Sequence, residues 1–359
     1  MKIIIAGNYG AGNLGDELIL EGLLETLRDV SPEAKVTVFS ARPFFTKKRH
    51  AKYDIKTRYK VPSGARSLLK SVFNGQLKRT LKSIKKADYF ILGGGGLFDE
   101  TSKKAIWIWS VQAWAAYHYK KPVIMYGQGI SSIKSNWAKK KLKKYFRKAE
   151  LIAVRDTDSK HQLKKLIRGK KILLMPDLLF KIRKLHVPAS ENTQTQPKIL
   201  LALRPFKKPL PGFEKEIRKF IEENKDQLIP IPFQKQQDGH YLNPENPPKY
   251  TSNIDKILTK YQGANSLVAM RLHAILFAIC TGTPFVAISY NPKVTHILET
   301  LGLQEYMIEI KELTSENLQA KLKEVLENHH DISIRLQKIA ATQLQKHEEV
   351  EMHLKAILK

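Results

Sequence analysis

Cysteine is almost absent from this chain. Cys280 is the only one among 359 residues, which excludes a disulfide framework or a thiolate metal site within one chain; the residue reads as a small buried apolar side chain. Long apolar runs are missing as well. None approaches the roughly 20 residues of a membrane span. Met1–Gly7 holds one Lys and a short apolar run, too little for a signal-peptide core, so a cytoplasmic protein is expected. Acidic residues are scarce, 34 against 62 Lys+Arg, for a net charge of +28. The 11 histidines are scattered with no HxH or HExxH, so no metal is expected. The chain has no GxSxG elbow or kinase set and no internal repeat. Hydrophobic residues at 42 % and charged ones at 27 % are ordinary globular usage and exclude disorder and collagen.

The length suits about two domains. Short apolar runs alternate with amphipathic stretches such as Asp16–Val30 and Glu214–Asn224. Expected strands are Lys2–Ala6, Lys35–Ser40, Tyr89–Leu92, Val123–Tyr126, Leu151–Val154 and Lys171–Leu174, then Lys198–Leu203, Gln227–Pro232, Ser266–Ala269 and Pro284–Ser289. Continuous apolar runs mean strands covered on both faces, hence parallel sheets. Two βα series mean an α/β protein of two doubly wound domains. The polar, turn-rich Lys181–Pro197 puts the boundary near residue 190. The reading is a basic N-terminal domain over 1–185, a second domain over 195–330 and a C-terminal helix over 331–359.

The charge is lopsided, with 41 basic and 15 acidic residues in positions 1–200 against 21 and 19 thereafter. Two stretches carry much of it. Arg66–Lys86 reads as one helix whose stripe Leu69, Phe73, Leu77, Leu81 and Ile84 is flanked by lysines and arginines; Ser135–Glu150 has a similar pattern. Each is either a solvated face over a core stripe or a surface that docks on an anionic leaflet. Neither contains a nucleic-acid module, and nucleic acid is not expected as a partner.

Five motifs lie where strands end. GNYGAGNLGDE, Gly7–Glu17, has glycines that admit close approach or positive φ before a helix N-terminus, with Asn8, Asn13, Asp16 and Glu17 as candidate polar groups. Its spacing is neither GxGxxG nor GxxxxGK[ST]. Asp16 and Glu17 could equally serve the helix dipole. In ILGGGGLFDETS, Ile91–Ser102, four glycines including Gly94 and Gly95 suggest a bare loop at the carboxyl edge of a sheet, where open α/β sheets bind ligands; Asp99 or Thr101 could cap the next helix. YGQGIS brings Gln128 to such an edge. AVRDTDS brings Arg155, a candidate anion fork or the ion-pair partner of Asp156 or Asp158. Arg204 stands similarly in the second domain. In Met270–Val294, Arg271, His273 and Lys293 read as a polycationic pocket with one base that titrates near neutrality.

At these five motifs, in this order over roughly residues 1–310, the chain resembles the polysaccharide pyruvyltransferases. It looks most like the CsaB-type branch, which acts on cell-wall glycans and supports S-layer anchoring. The resemblance implies a GT-B-like fold with two domains facing across a cleft and a helical C-terminus. It implies transfer of a pyruvyl group from phosphoenolpyruvate, the donor substrate, onto two hydroxyls of one sugar of a cell-wall or surface polysaccharide precursor. The products are a cyclic ketal and phosphate, with no cofactor and no metal. His273 is then the expected acid/base, and Arg155, Arg271, Lys293 and Arg204 hold phosphate and carboxylate. Asp16, Glu17 and Asp99 bind or activate sugar hydroxyls, with Asn8, Asn13, Gly94, Gly95 and Gln128 as further contacts. A lipid-linked acceptor on the inner leaflet would give the basic half a use. Two other readings stand beside this one. A nucleotide-sugar glycosyltransferase of the same fold would need an acidic residue such as Glu299 for the ribose. A non-catalytic binder of nucleic acid or acidic glycan would bind with steep salt dependence.

Overall fold

In a computed structural model of the chain, the described residues are 1–131, 133–187, 197–206, 210–235, 238 and 248–359. The expected boundary near residue 190 lies outside them. Contacts divide the chain into two units: 1–11, 16–182 and 344–359 form the first, and 12–15 with 183–343 form the second.

The first unit runs β1 (Lys2–Ala6), α1 (Leu14–Val30), β2 (Lys35–Ser40), α2 (Pro43–Arg49), β3 (Lys56–Tyr59), α3 (Ala65–Phe73), α4 (Gln76–Lys86), β4 (Tyr89–Leu92), β5 (Gly95–Asp99), α5 (Lys103–His118), β6 (Val123–Ser131), α6 (Asn136–Phe146), β7 (Leu151–Val154), α7 (Thr157–Leu166) and β8 (Leu173–Leu174). Its sheet has the order β3-β2-β1-β4-β6-β7-β8, with β5 beside β6, and every pairing is parallel. β1 shows why the strands read as continuous apolar runs. Its Ile4 and Ala6 join one core while Ile3 and Ile5 join the other, because successive side chains point to opposite faces and both faces are covered.

The second unit runs β9 (Ile199–Ala202), α8 (Pro211–Asn224), β10 (Leu228–Pro230), α9 (Ile254–Gln262), β11 (Ser266–Ala269), α10 (Leu272–Thr281), β12 (Phe285–Ser289), α11 (Pro292–Leu301), β13 (Met307–Glu309), α12 (Ser315–Glu327) and α13 (His329–Ile357). Its parallel sheet has the order β10-β9-β11-β12-β13. Cys280 is buried in α10, as its composition suggested. The C-terminus is helical, and the end of α13 belongs to the first unit: Val350, Leu354 and Leu358 enter a core that includes Ile3 and Leu20. There Glu351 accepts from Lys181 at 2.9 Å, and Lys181 also pairs with Asp29 at 3.0 Å.

Three strands were missed. β3 buries only Thr57 and exposes Lys56 and Arg58, so its sequence shows no apolar run. β13 spans three residues. β5 lies within the glycine-rich segment expected to be a bare loop. Gly95 pairs with Gln128 of β6, and Leu97 and Phe98 enter the core, so backbone pairing makes a strand of what the glycines suggested as a bare loop. The single helix expected over Arg66–Lys86 is two, because Gly75 adopts φ +67° between α3 and α4. The expected core stripe divides there. Ile84 is buried, whereas Leu69 and Phe73 of α3 are exposed.

Candidate functional site

In an open parallel sheet, ligands bind beyond the carboxyl ends of the strands where the strand order reverses. In the first unit that place lies between β1 and β4, with the GNYGAGNLGDE loop on one side and Gly93–Gly95 on the other. Part of the glycine content there is structural. A Cβ at Gly7 would stand 2.3 Å from the Tyr9 ring, and one at Gly93 2.1 Å from its hydroxyl. These glycines make room for a fully buried tyrosine whose Oη has no hydrogen-bond partner among the described residues.

Asp16 and Glu17, adjacent in the first turn of α1, have different surroundings. Asp16 accepts from Asn8 Nδ2 at 2.8 Å and lies near the position a Cβ on Gly95 would take. Burial pushes its pKa up to about 7, with the Asn8 hydrogen bond opposing, Glu17 adding to the rise, and Lys60 and Arg155 opposing it. A carboxyl tuned close to neutrality suits proton transfer. Glu17 is buried and committed. Its carboxylate takes the Gly10 N–H at 2.7 Å and faces His50 Nε2 at 3.4 Å and Arg49 Nε at 3.7 Å. Burial would raise its pKa, but the His50 hydrogen bond, Arg49 and Gly10 hold it below the usual value. Glu21 faces His50 Nδ1 at 2.8 Å and is likewise depressed, to about 2, against the cost of burial. Glu17 thus braces the glycine loop.

Arg155 leaves β7 buried. Its Nη1 meets Asp177 Oδ2 at 3.2 Å and its Nε lies 3.5 Å from Asp156. Asp156 also caps α7 by accepting from Ser159 N. Gln128 is fully buried, and its Nε2 donates to the Leu92 and Gly93 carbonyls, each at 2.7 Å; that amide fastens the end of β4. Asp99, at the end of β5, accepts from the Thr101 N–H and hydroxyl, while Ser102 caps α5. Beside this edge a cavity of about 390 Å³ is lined by Ser40, Lys60, Ser63, Ser67, Lys70 and Gln76, among others.

In the second unit the order reverses between β9 and β11. Arg204 follows β9; Arg271 and His273 follow β11; Lys293 follows the neighbouring β12. Arg204 Nη1 donates to Tyr290 Oη at 2.9 Å, and its guanidinium lies 4.7 Å from the Tyr290 ring centre. Lys293 is half-buried in the first turn of α11, which Asn291 caps. Arg271, at the N-cap of α10, is held by an acidic partner. Its Nε donates to Asp238 Oδ2 at 3.0 Å, and its Nη2 pairs with Oδ1. Asp238 also accepts the Phe233 and Gln234 N–H groups at 3.0 and 2.9 Å.

The middle of the first motif belongs here. Leu14 N donates to Phe233 O, Lys235 N donates to Gly12 O, and Asn13 bridges Gln234. Asn13 Oδ1 accepts from Gly15 N at 2.9 Å. A Cβ on Gly15 would stand 2.2 Å from His273 Nδ1, so the backbone at Gly15 is a wall against the imidazole. Gly15→Ala is expected to displace that ring. A reacting group misplaced by about 1 Å costs on the order of 10²-fold. Turnover should fall by about that factor, and Gly15→Ala added to His273→Ala should cause little further loss. Additive losses would show that Gly15 acts elsewhere.

Sequence reasoning missed Asp238, Asp177, His50, Lys60 and Tyr9. The one available signal was that buried arginines need acidic partners; nothing local says which. Among the described residues no group of His, Cys, Asp and Glu could hold a metal ion, and no helix is long and apolar enough to cross a membrane.

The polysaccharide pyruvyl transferase family model matches residues 13–292. The amylovoran biosynthesis protein AmsJ of Erwinia amylovora is 23 % identical, over 92 % of this chain and 94 % of that protein. Among solved structures, Anabaena Alr3699/HepE in complex with UDP-glucose aligns with a TM-score of 0.61 at 12 % identity, covering 100 % of this chain and 99 % of that one. The S. aureus MnaA–UDP structure aligns at 0.65 and 12 %, covering 99 % and 96 %. The structural likeness is one of fold, GT-B-like with two parallel sheets.

Proposed function

The chain belongs to the polysaccharide pyruvyl transferase family, and from that premise we propose that it transfers the pyruvyl group of phosphoenolpyruvate to two hydroxyls of a sugar in a surface or cell-wall polysaccharide precursor. The observation that carries this reading is the family match over residues 13–292, supported by the relative AmsJ. In the proposed reaction one hydroxyl oxygen bonds to the central carbon of the enol phosphate while the methylene carbon takes a proton and becomes a methyl group. The second hydroxyl oxygen then bonds to the same carbon as the C–O bond to phosphate breaks; of the two hydroxyl protons, one balances the proton taken by carbon and the other leaves with the phosphate. The products are a cyclic ketal and phosphate.

Each unit is assigned its part separately. In the second, His273 moves the proton, and Lys293 and Arg204 supply positive charge for phosphate and carboxylate. Arg271, fixed by Asp238, adds a preoriented donor. In the first, Arg155 contributes an anion contact, while Asp16, oriented by Asn8, takes the proton of a sugar hydroxyl. Glu17 and Gln128 hold the surrounding backbone, and Asp99 remains a candidate hydroxyl contact. Acceptor-dependent phosphate release, measured with phosphoenolpyruvate and a panel of aminosugar acceptors, tests the reading. Release that required a nucleotide sugar instead would overturn it in favour of glycosyl transfer.

Asp16→Asn separates stability from chemistry. A carboxyl whose folded pKa is raised contributes stability that is present below its unfolded value, near 4, and lost as pH rises through about 7. Removing the charge should therefore stabilise the chain at pH 8, by on the order of 1–2 kcal/mol because the side chain keeps part of its surface open. The difference should vanish near pH 4. Turnover should fall, and its rise through about pH 7 should disappear. Denaturation at the two pH values and a pH–rate profile read both effects; an unchanged profile would remove Asp16 from proton transfer.

A further inference from the structure

Helix α3 is amphipathic in the wrong sense for a core element. Its only buried residue is Ser71, while Leu68, Leu69, Val72 and Phe73 face outward, Leu69 at 60 % and Phe73 at 88 % exposure. Ser67, Lys70 and Ser71 line the cavity beside β2 and β3. Both strands end at the same edge of the sheet, and α2, which follows β2, presents Phe44 and Phe45 at 73 % and 62 % exposure, their rings packed edge to face. Trp107, also exposed, donates its ring N–H to Ser63 O at 2.7 Å, just before α3. Four outward apolar side chains on nine residues, with aromatic groups nearby, form the kind of exposed patch that marks a binding surface.

Charge identifies the occupant. From residue 55 to 87 the chain has ten Lys and Arg and no Asp or Glu, and Lys78, Arg79, Lys82, Lys85 and Lys86 of α4 are exposed. A second copy of this face would bring the same positive charge and be repelled. Nucleic acid would satisfy the charge but leave Leu69 and Phe73 in water. An anionic bilayer satisfies both, taking apolar side chains into its interface and basic ones at its headgroups. We propose that α3 is a membrane-docking helix, inserting Leu68, Leu69, Val72 and Phe73 into an anionic lipid surface while α4 supplies the electrostatic attraction. The proposal goes beyond the transfer reaction and does not depend on it, since binding is read without turnover.

Flotation of the full chain with phosphatidylcholine vesicles, with and without phosphatidylglycerol, tests it. The wild type should float with the anionic vesicles and not with the neutral ones. Leu69→Ser with Phe73→Ser should weaken partitioning by about tenfold per side chain, and Lys78→Gln with Arg79→Gln by about fivefold per charge. These positions are exposed, so the variants should melt as the wild type does. Three results would overturn the proposal: no flotation of the wild type, equal flotation of the Leu69/Phe73 variant, or a dimer in light scattering that this variant abolishes.

Discussion

Replacing His273 with alanine is expected to lower acceptor-dependent phosphate release by about 10²–10⁴-fold, the usual contribution of a positioned acid or base. The residue lies in the first turn of α10, directly after β11 and beside the reversal of strand order in its sheet. An imidazole can give or take a proton near neutral pH, and the reaction proposed above needs a proton delivered to carbon. The Gly15 backbone fixes the ring from one side. His273→Gln keeps hydrogen-bonding capacity without titration, so it should be nearly as impaired as His273→Ala. Turnover of His273→Ala within a few-fold of wild type would end the assignment. A glutamine variant that restored activity would reduce His273 to a hydrogen-bonding contact.

The fold was legible where both faces of a strand are apolar. Lys2–Ala6, Lys35–Ser40, Tyr89–Leu92, Leu151–Val154 and Ser266–Ala269 match the observed strands residue for residue, because burial on two faces leaves continuous hydrophobic runs. It was illegible where backbone pairing, not side chains, makes the strand, as in β5 with its glycines and β3 with its outward charges. Periodicity also cannot say which way a helix faces. The stripe Leu69–Phe73–Leu77–Leu81–Ile84 is regular, yet Gly75 lets α3 expose its share while α4 buries Ile84. The candidate residues were legible because they stand at strand-to-helix junctions. Their partners were not. Asp238 lies 33 residues from Arg271, Asp177 lies 22 from Arg155, and His50 lies 33 from Glu17. Such pairings are decided by tertiary packing, with no local pattern to announce them.

Asp238→Ala is expected to cost about 3–5 kcal/mol in the unfolding of the second unit, as removal of one member of a buried ion pair does. Asp238 is almost fully buried and serves three groups: the Arg271 guanidinium and the N–H groups of Phe233 and Gln234. Alanine leaves a charge and two amides unpaired. Replacing the pair with apolar groups, Asp238→Leu with Arg271→Met, should recover the part of that stability lost to the uncompensated charge, while the Phe233 and Gln234 amides stay unpaired and the rest stays lost. Turnover should not recover. Phe233, Gln234 and Lys235 are bonded to the segment Gly12–Leu14, and the next residue, Gly15, walls the His273 ring. Asp238 therefore holds the support on which the imidazole rests. Urea titrations of both variants beside their phosphate-release rates separate the two effects. An Asp238→Ala protein within about 1 kcal/mol of wild type would show the pair to be dispensable, whereas a double variant recovering both stability and turnover would show that His273 needs no such support.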